Sequence, residues 1–240
     1  MKILSIGNSF SQDAQRYLFN LAKHEGVSLT TENLYIGGCS LERHHKNMLE
    51  NSPSYTLELN GQSTGVLVTM KQVLESVAWD VITLQQASYA SAKLETYFPY
   101  IEELASYVRS IRPDAKIFIH ETWAYEDDSE KIRATERYNT AKEMLTDIQK
   151  CYKTVAKTSH ADGIIPSGTA MYKAIELGIG KIHRDTLHAS FGAGRYLLAL
   201  TWYKTLTNND VTFNDFNDFD EPFTDREREI IINAVNQVVK

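Results

Sequence analysis

The stretch Lys2-Ile3-Leu4-Ser5-Ile6-Gly7-Asn8-Ser9-Phe10-Ser11-Gln12-Asp13 decides how the rest of the chain is read. Lys2 to Ile6 is a short apolar run with β-branched members, the mark of a buried parallel strand. It stops at Gly7-Asn8-Ser9, where glycine permits a tight reversal and asparagine and serine favour turns. From Gln12 to Lys23, Tyr17, Leu18, Leu21 and Ala22 recur at helical spacing. Ser9 therefore falls between the carboxyl end of a first strand and the amino end of a first helix. Ligands of open α/β sheets bind at such a place, and the free amides of a helix start favour developing negative charge. Serine is also a preferred helix cap, so a purely structural Ser9 is the competing reading of this stretch.

Outward from it the same alternation repeats. Val27 to Tyr35 reads as a second strand, and Gly37-Gly38 after it as a loop where backbone approaches something closely. Leu41 to Leu49 can form a helix with Ser40 as its cap. Tyr55 to Leu59 and Gly65 to Thr69 flank Asn60-Gly61 and look like a hairpin, expected as a peripheral ornament. After a short helix over Lys71 to Val77, Asp80 to Leu84 is a third strand ending at Gln85-Gln86. Thr96 to Ile111 is an amphipathic helix with Ile101, Leu104, Ala105 and Val108 on one face. Lys116 to Ile119 is a fourth strand ending at His120-Glu121-Thr122-Trp123. One long helix is expected from Ser129 to about Thr158. Gly163 to Ile165 is a fifth strand, followed by a helix through Leu177. A polar loop from Gly180 to Ser190 carries His183, Asp185 and His188. Phe191 to Leu206 is an apolar helix and Asn208 to Asp220 an acidic, aromatic loop. Thr224 and Glu227 form a capping box for a last helix. Alternation of this kind predicts one α/β domain over residues 1–240, with five parallel strands and helices on both faces.

The 240 residues are 42% hydrophobic, ordinary for a globular chain. A formal net charge of −6 argues against nucleic acid as the main partner. Cys39 and Cys151 make no disulfide framework and suit a reducing compartment. The first strand begins at residue 2 and its run ends at Gly7, which is no secretory signal. No apolar stretch reaches membrane length. The expected location is cytoplasmic, with no membrane partner.

Parallel strands aim their carboxyl ends the same way, which gathers Ser9, Gly37-Gly38, Gln85-Gln86 and His120-Glu121-Trp123. A serine nucleophile needs a base within hydrogen-bond reach and an acid that orients the base. Asp185 and His188 are three apart, so one loop could supply both. Acyl transfer also needs donors aimed at the oxyanion. The amides of Ser9 and Gly38 and a glutamine side chain, Gln85 or Gln86, are the candidates.

These blocks resemble those of the SGNH (GDSL-like) hydrolase superfamily, a bacterial branch near the carbohydrate acetylesterases. Gly7-Asn8-Ser9-Phe10-Ser11 is similar to its Gly-Asp-Ser block, Gly37-Gly38 to its second block, and Asp185-Thr186-Leu187-His188 to its closing Asp-x-x-His. Asn8 stands where the family has aspartate, and Leu84-Gln85-Gln86-Ala87-Ser88 where it has Gly-x-Asn-Asp. The resemblance implies a flavodoxin-like three-layer α/β/α sandwich and a serine esterase without metal or organic cofactor. Its substrate would be a small-molecule or carbohydrate ester, O-acetyl first. It implies Ser9 as nucleophile, His188 as general base and Asp185 as its orienter. Ser9, Gly38 and Gln85 would form the oxyanion hole, since a glutamine amide donates as an asparagine amide does.

Gln86, His120, Glu121 and Trp123 are expected to line the substrate pocket, with Trp123 and Tyr125 placed to stack on a sugar face. Cys39 carries no sign of an activated thiol. His44 and His45 are expected at the surface. The acidic loop around Asn214 to Asp220 lacks the glycine and glutamate of a calcium loop. Two other functions compete. One is a metal-dependent phosphoesterase using His183, Asp185 and His188, a sparse ligand set. The other is a non-catalytic carbohydrate-binding protein on the same fold.

Overall fold

The computed structural model describes residues 1–134 and 137–240. Strand β1 (Lys2–Gly7) is buried from Ile3 onward because it lies inside the sheet. It pairs in parallel with β2 (Thr30–Tyr35) on one side and β5 (Val81–Leu84) on the other, so that Ile6 faces both Leu34 and Leu84. A strand flanked on both edges and covered on both faces has no polar side to show. That accounts for the unbroken apolar run. β6 (Lys116–His120) and β7 (Gly163–Ile165) continue the parallel sheet beyond β5. The five parallel strands thus run β2-β1-β5-β6-β7, the flavodoxin-like order, with its switch point between β1 and β5.

The sheet has seven strands rather than five. The hairpin β3 (Tyr55–Leu59) and β4 (Gln62–Val68) is no ornament, since β3 pairs antiparallel with β2 and extends the sheet. One of its polar residues, Glu58, binds inward. Asn33 on β2 donates to Glu58 on β3 at 2.8 Å, and Gln12 donates to the same carboxyl group.

Helices α1 (Ser9–Gln15), α2 (Leu18–His24), α8 (Ser167–Glu176), α9 (Ala193–Thr207) and α10 (Asp225–Val238) pack on one another as one layer. α3 (Leu41–Glu50), α4 (Met70–Ser76) and α5 (Tyr100–Ile111) pack together as another, and α7 (Ala141–Thr158) covers β6 and β7. α9 is buried from Ala193 to Tyr203 on every side, as a helix apolar all round must be.

Three expectations change. The first helix is two, broken at Arg16-Tyr17. Gly61 in the hairpin turn sits against that break, and a Cβ there would lie 2.7 Å from the Arg16 carbonyl oxygen. Its φ of +76° also suits glycine. The long helix from Ser129 is a short α6 (Glu130–Arg133) and a separate α7, and part of that expectation lies on residues outside the described set. α7 starts afresh because Thr140 caps the Glu143 amide and Asp127 accepts from the Ala141 amide. His44 is buried, stacked on Tyr55, its Nδ1 3.1 Å from the phenol oxygen, because it shares the inner face of α3 with Leu41 and Asn47. Burial drives its pKa down to about 3, so the ring is neutral.

Candidate active site

Asn8, not Ser9, caps α1. Its Oδ1 accepts from the Phe10 amide at 3.0 Å, as an N-cap side chain does. Ser9 is thereby the first helical residue, and its hydroxyl is left for another partner. That partner is His188, whose Nε2 is 2.9 Å from the Ser9 Oγ across 179 positions of sequence. The His188 Nδ1 lies 2.8 Å from the Asp185 Oδ2. The other Asp185 oxygen accepts from the backbone amides of His188 and Leu187, at 2.7 and 3.2 Å. Burial alone raises the Asp185 carboxyl, but these amides and the imidazole outweigh it and hold its pKa at about 2. An ionised carboxylate accepts only, so Nδ1 carries the proton and Nε2 presents its lone pair to the serine.

The loop that holds Asp185 and His188 is clamped to the helix that holds Ser9. Asp13, one turn beyond Ser9 and fully buried, accepts from Arg184 through both oxygens at 3.0 and 2.9 Å. Arg195 Nε donates to the same carboxylate at 2.9 Å and its Nη1 to Asp220 at 2.7 Å. Arg16 completes the chain through Asp220. A paired, hydrogen-bonded carboxylate of this kind resists separation, because losing one member leaves a buried charge alone.

Gly38 faces the same opening with a φ of +61°. The carbonyl beside it, on Cys39, accepts from the Asn8 Nδ2 at 3.0 Å, which ties the diglycine loop to the strand end. Among the described residues the amides of Ser9 and Gly38 are committed to no partner. The adjacent Cys39 thiol is pushed up to about 12 by burial and is inert.

The glutamines are placed otherwise than the sequence suggested. Gln85 donates through Nε2 to the Asn8 Oδ1 at 2.6 Å and accepts at Oε1 from the His120 Nδ1 at 2.9 Å. The His120 Nε2 is 3.0 Å from the Ser167 hydroxyl, and burial lowers the ring's pKa to about 3. Gln85 is sealed behind Asn8 and braces it, instead of reaching the cavity as an oxyanion donor. Gln86 donates to the Thr96 carbonyl at 3.0 Å and accepts from the Leu41 and Ala87 amides, so it too is spent on the scaffold. Glu121 accepts from the amide and hydroxyl of Thr169 at 2.7 and 2.8 Å, and burial raises its pKa to about 7. Trp123 lies flat on Phe10, centroids 3.7 Å apart, and its indole donates to the Leu187 carbonyl at 2.7 Å. It supports the histidine loop from behind. None of Gln85, Gln86, His120, Glu121 and Trp123 lines the cavity; of the expected aromatic pair, Tyr125 does.

That cavity, about 670 Å³, opens over Ser9, His188 and Gly38, a volume usual for a small-molecule site. Its lining also includes Tyr89, Lys93, Lys131, Arg137 and Tyr138, which no motif announces. His183 is buried 3.3 Å from Glu126, while Asp185 spends its carboxylate on His188. Among the described residues no group of three or more His, Cys, Asp or Glu side chains is placed to hold a metal ion. No helix among them is long and apolar enough to cross a membrane.

Comparison with known proteins agrees with this geometry at the level of fold. A candidate SGNH hydrolase from Slackia heliotrinireducens superposes with a TM-score of 0.63 at 21% identity, over 86% of this chain and 98% of that one. An acetylxylan esterase from Geobacillus stearothermophilus gives 0.54 at 15% identity, over 85% and 92%. The α/β fold is the one these hydrolases share. No curated protein sequence matches the chain. A crystal structure of a DUF4886 family protein from Bacteroides uniformis is 33% identical, with a TM-score of 0.92 over 100% of this chain and 94% of that one. The family described as Domain of unknown function (DUF4886) matches residues 2–237, and the chain belongs to it.

Proposed function

We propose that this protein is a serine hydrolase that cleaves an ester, an O-acetyl group on a carbohydrate being the first candidate. The observation that carries the reading is the Ser9–His188–Asp185 hydrogen-bond chain at the carboxyl end of β1. His188 takes the proton of the Ser9 hydroxyl as the oxygen attacks the ester carbonyl. The negative charge that develops on the carbonyl oxygen is received by the amides of Ser9 and Gly38, at the positive end of α1. The intermediate collapses, the C–O bond breaks, and His188 returns its proton to the departing alcohol. A water, deprotonated by the same imidazole, then releases the acid and restores Ser9. Asp185 fixes the tautomer and balances the imidazolium.

The acetyl preference is supported by the fold shared with an acetylxylan esterase and by the tyrosines of the cavity, which suit a sugar face. The test is Ser9→Ala with 4-nitrophenyl acetate and a fluorophosphonate probe. Turnover is expected to fall by at least ~10³-fold, and covalent labelling to vanish, in a variant with an unchanged circular dichroism spectrum. Undiminished turnover would end the reading.

A further inference from the structure

We propose, resting on the hydrolase reading above, that the ester cleaved here carries a carboxylate, and that Lys93 and Lys131 select it. Among the described residues the cavity wall holds three cations, Lys93, Lys131 and Arg137, and no carboxylate. This is notable in a chain whose net charge is −6. Arg137 is answered by Asp147 at 2.9 Å. Lys93 and Lys131 have no ion-pair partner among the described residues. They also come from different elements, the turn after β5 and helix α6, and both line the one cavity.

Both lysines are carried on backbone that is tied to the site. The Lys93 carbonyl accepts from the Thr96 hydroxyl at 2.7 Å, and Gln86 holds the Thr96 carbonyl at 3.0 Å. The Ser129 hydroxyl caps α6 through the Lys131 amide at 3.3 Å and lies 2.9 Å from the hydroxyl of Thr186. Thr186 stands between Asp185 and His188, and its carbonyl accepts from the Glu126 amide at 3.0 Å. The Lys131 helix is thus clipped to the histidine loop itself. Tyr89 and Tyr125 supply apolar faces in the same cavity, which fits a ring with a charge on its rim. A lysine offers a compact charge with rotatable donors, which a carboxylate accepts without a fixed angle. Cations of one sign in a low-dielectric cleft raise the local concentration of an anionic substrate.

Two matched pairs of esters test this. 4-Acetoxybenzoate against neutral 4-acetoxybenzamide places the charge on the alcohol side. 4-Nitrophenyl hemiglutarate against 4-nitrophenyl pentanoate places it on the acyl side. In at least one pair the anionic ester is expected to have the higher kcat/KM, by about tenfold at low salt, with the advantage shrinking as salt rises. In Lys93→Gln/Lys131→Gln that ratio is expected to fall towards one, and thermal melting checks the fold. A ratio at or below one in both pairs for the unaltered protein overturns the proposal and leaves the hydrolase reading standing. So does turnover of none of the four esters while Ser9 still takes the fluorophosphonate. A preference that survives in the double variant overturns the assignment to these lysines. Absence of both turnover and labelling removes the hydrolase reading, and the proposal with it.

Discussion

Two groups of polar side chains sit at the carboxyl ends of neighbouring strands and meet opposite fates. Around β1, Ser9 opens into the cavity and meets His188. Around β5 and β6, Gln85, His120 and Glu121 are closed off and bonded to one another or to α8. Both groups obey the rule that function gathers at strand ends. What separates them is how many hydrogen-bond positions the scaffold has already consumed. Asn8 absorbs the cap of α1 and the Gln85 amide, and so leaves Ser9 unspent. The second group spends its donors on the fold.

Ser9→Ala and His188→Ala test the open side. Each is expected to cost at least ~10³-fold in kcat, and the double variant little more, because the two act as one unit. Steady-state kinetics on 4-nitrophenyl acetate measure this. Additive losses would break the comparison at its root.

The clamp between the open side's two halves comes next. Asp13→Asn leaves Arg184 without its carboxylate and Arg195 with Asp220 alone, and about 3–5 kcal/mol of unfolding free energy is expected to be lost. kcat is expected to fall more than KM rises, as the histidine loop loosens from the Ser9 helix. If Asp13→Asn does not fold, Arg184→Lys retains the charge but not the planar guanidinium whose Nη1 reaches both Asp13 oxygens. Urea titration and kinetics on that variant then carry the test.

Glu121 reports on the sealed side. Its folded pKa of about 7 lies above the carboxyl's ordinary 4.5, so the folded protein holds a proton that the unfolded chain releases. Stability from this group is therefore present below pH 4.5 and falls as pH rises to 7. A loss of about 3 kcal/mol is expected across that range. Glu121→Gln is expected to flatten this part of the pH–stability profile. Urea midpoints at pH 5 and pH 7 distinguish the two.

The smallest expected effect sharpens the contrast most. If Gln85 were an oxyanion donor, Gln85→Ala would cost ~10²–10³-fold in kcat. As a brace for Asn8 it is expected to cost about 1–3 kcal/mol of stability and under ~10-fold in kcat. The ratio of these two losses identifies its role.

Much of the architecture was legible because it is written locally. Strand β1 announces itself through five neighbouring residues, and the capping box of α10 through Thr224 and Glu227 alone. Asp185 and His188 are legible as a pair because a three-residue spacing closes an Asx-type turn, with both Leu187 and His188 amides on one carboxylate. The hairpin's place in the sheet is not legible because nothing within Tyr55 to Val68 states which edge it will extend; its inward contacts are with Asn33 and Gln12. Trp123 and His44 are illegible for the same reason. An aromatic or a histidine has the same local pattern whether it faces a ligand or a neighbouring ring. Asp13 left a faint signal, four residues after Ser9 on one helix face, but its partners lie more than 170 positions away.

Residue pattern alone sets the chain order of most strands and helices, the strand end that bears Ser9, and the loop that brings Asp185 and His188 to it. These follow from periodicity, turn chemistry and spacing, all of which act over a few residues. Tertiary structure decided which polar groups remain free to act and which cations face the cavity. A hydrogen-bonding group is available only if no distant partner has claimed it, and distant partners are chosen by folding.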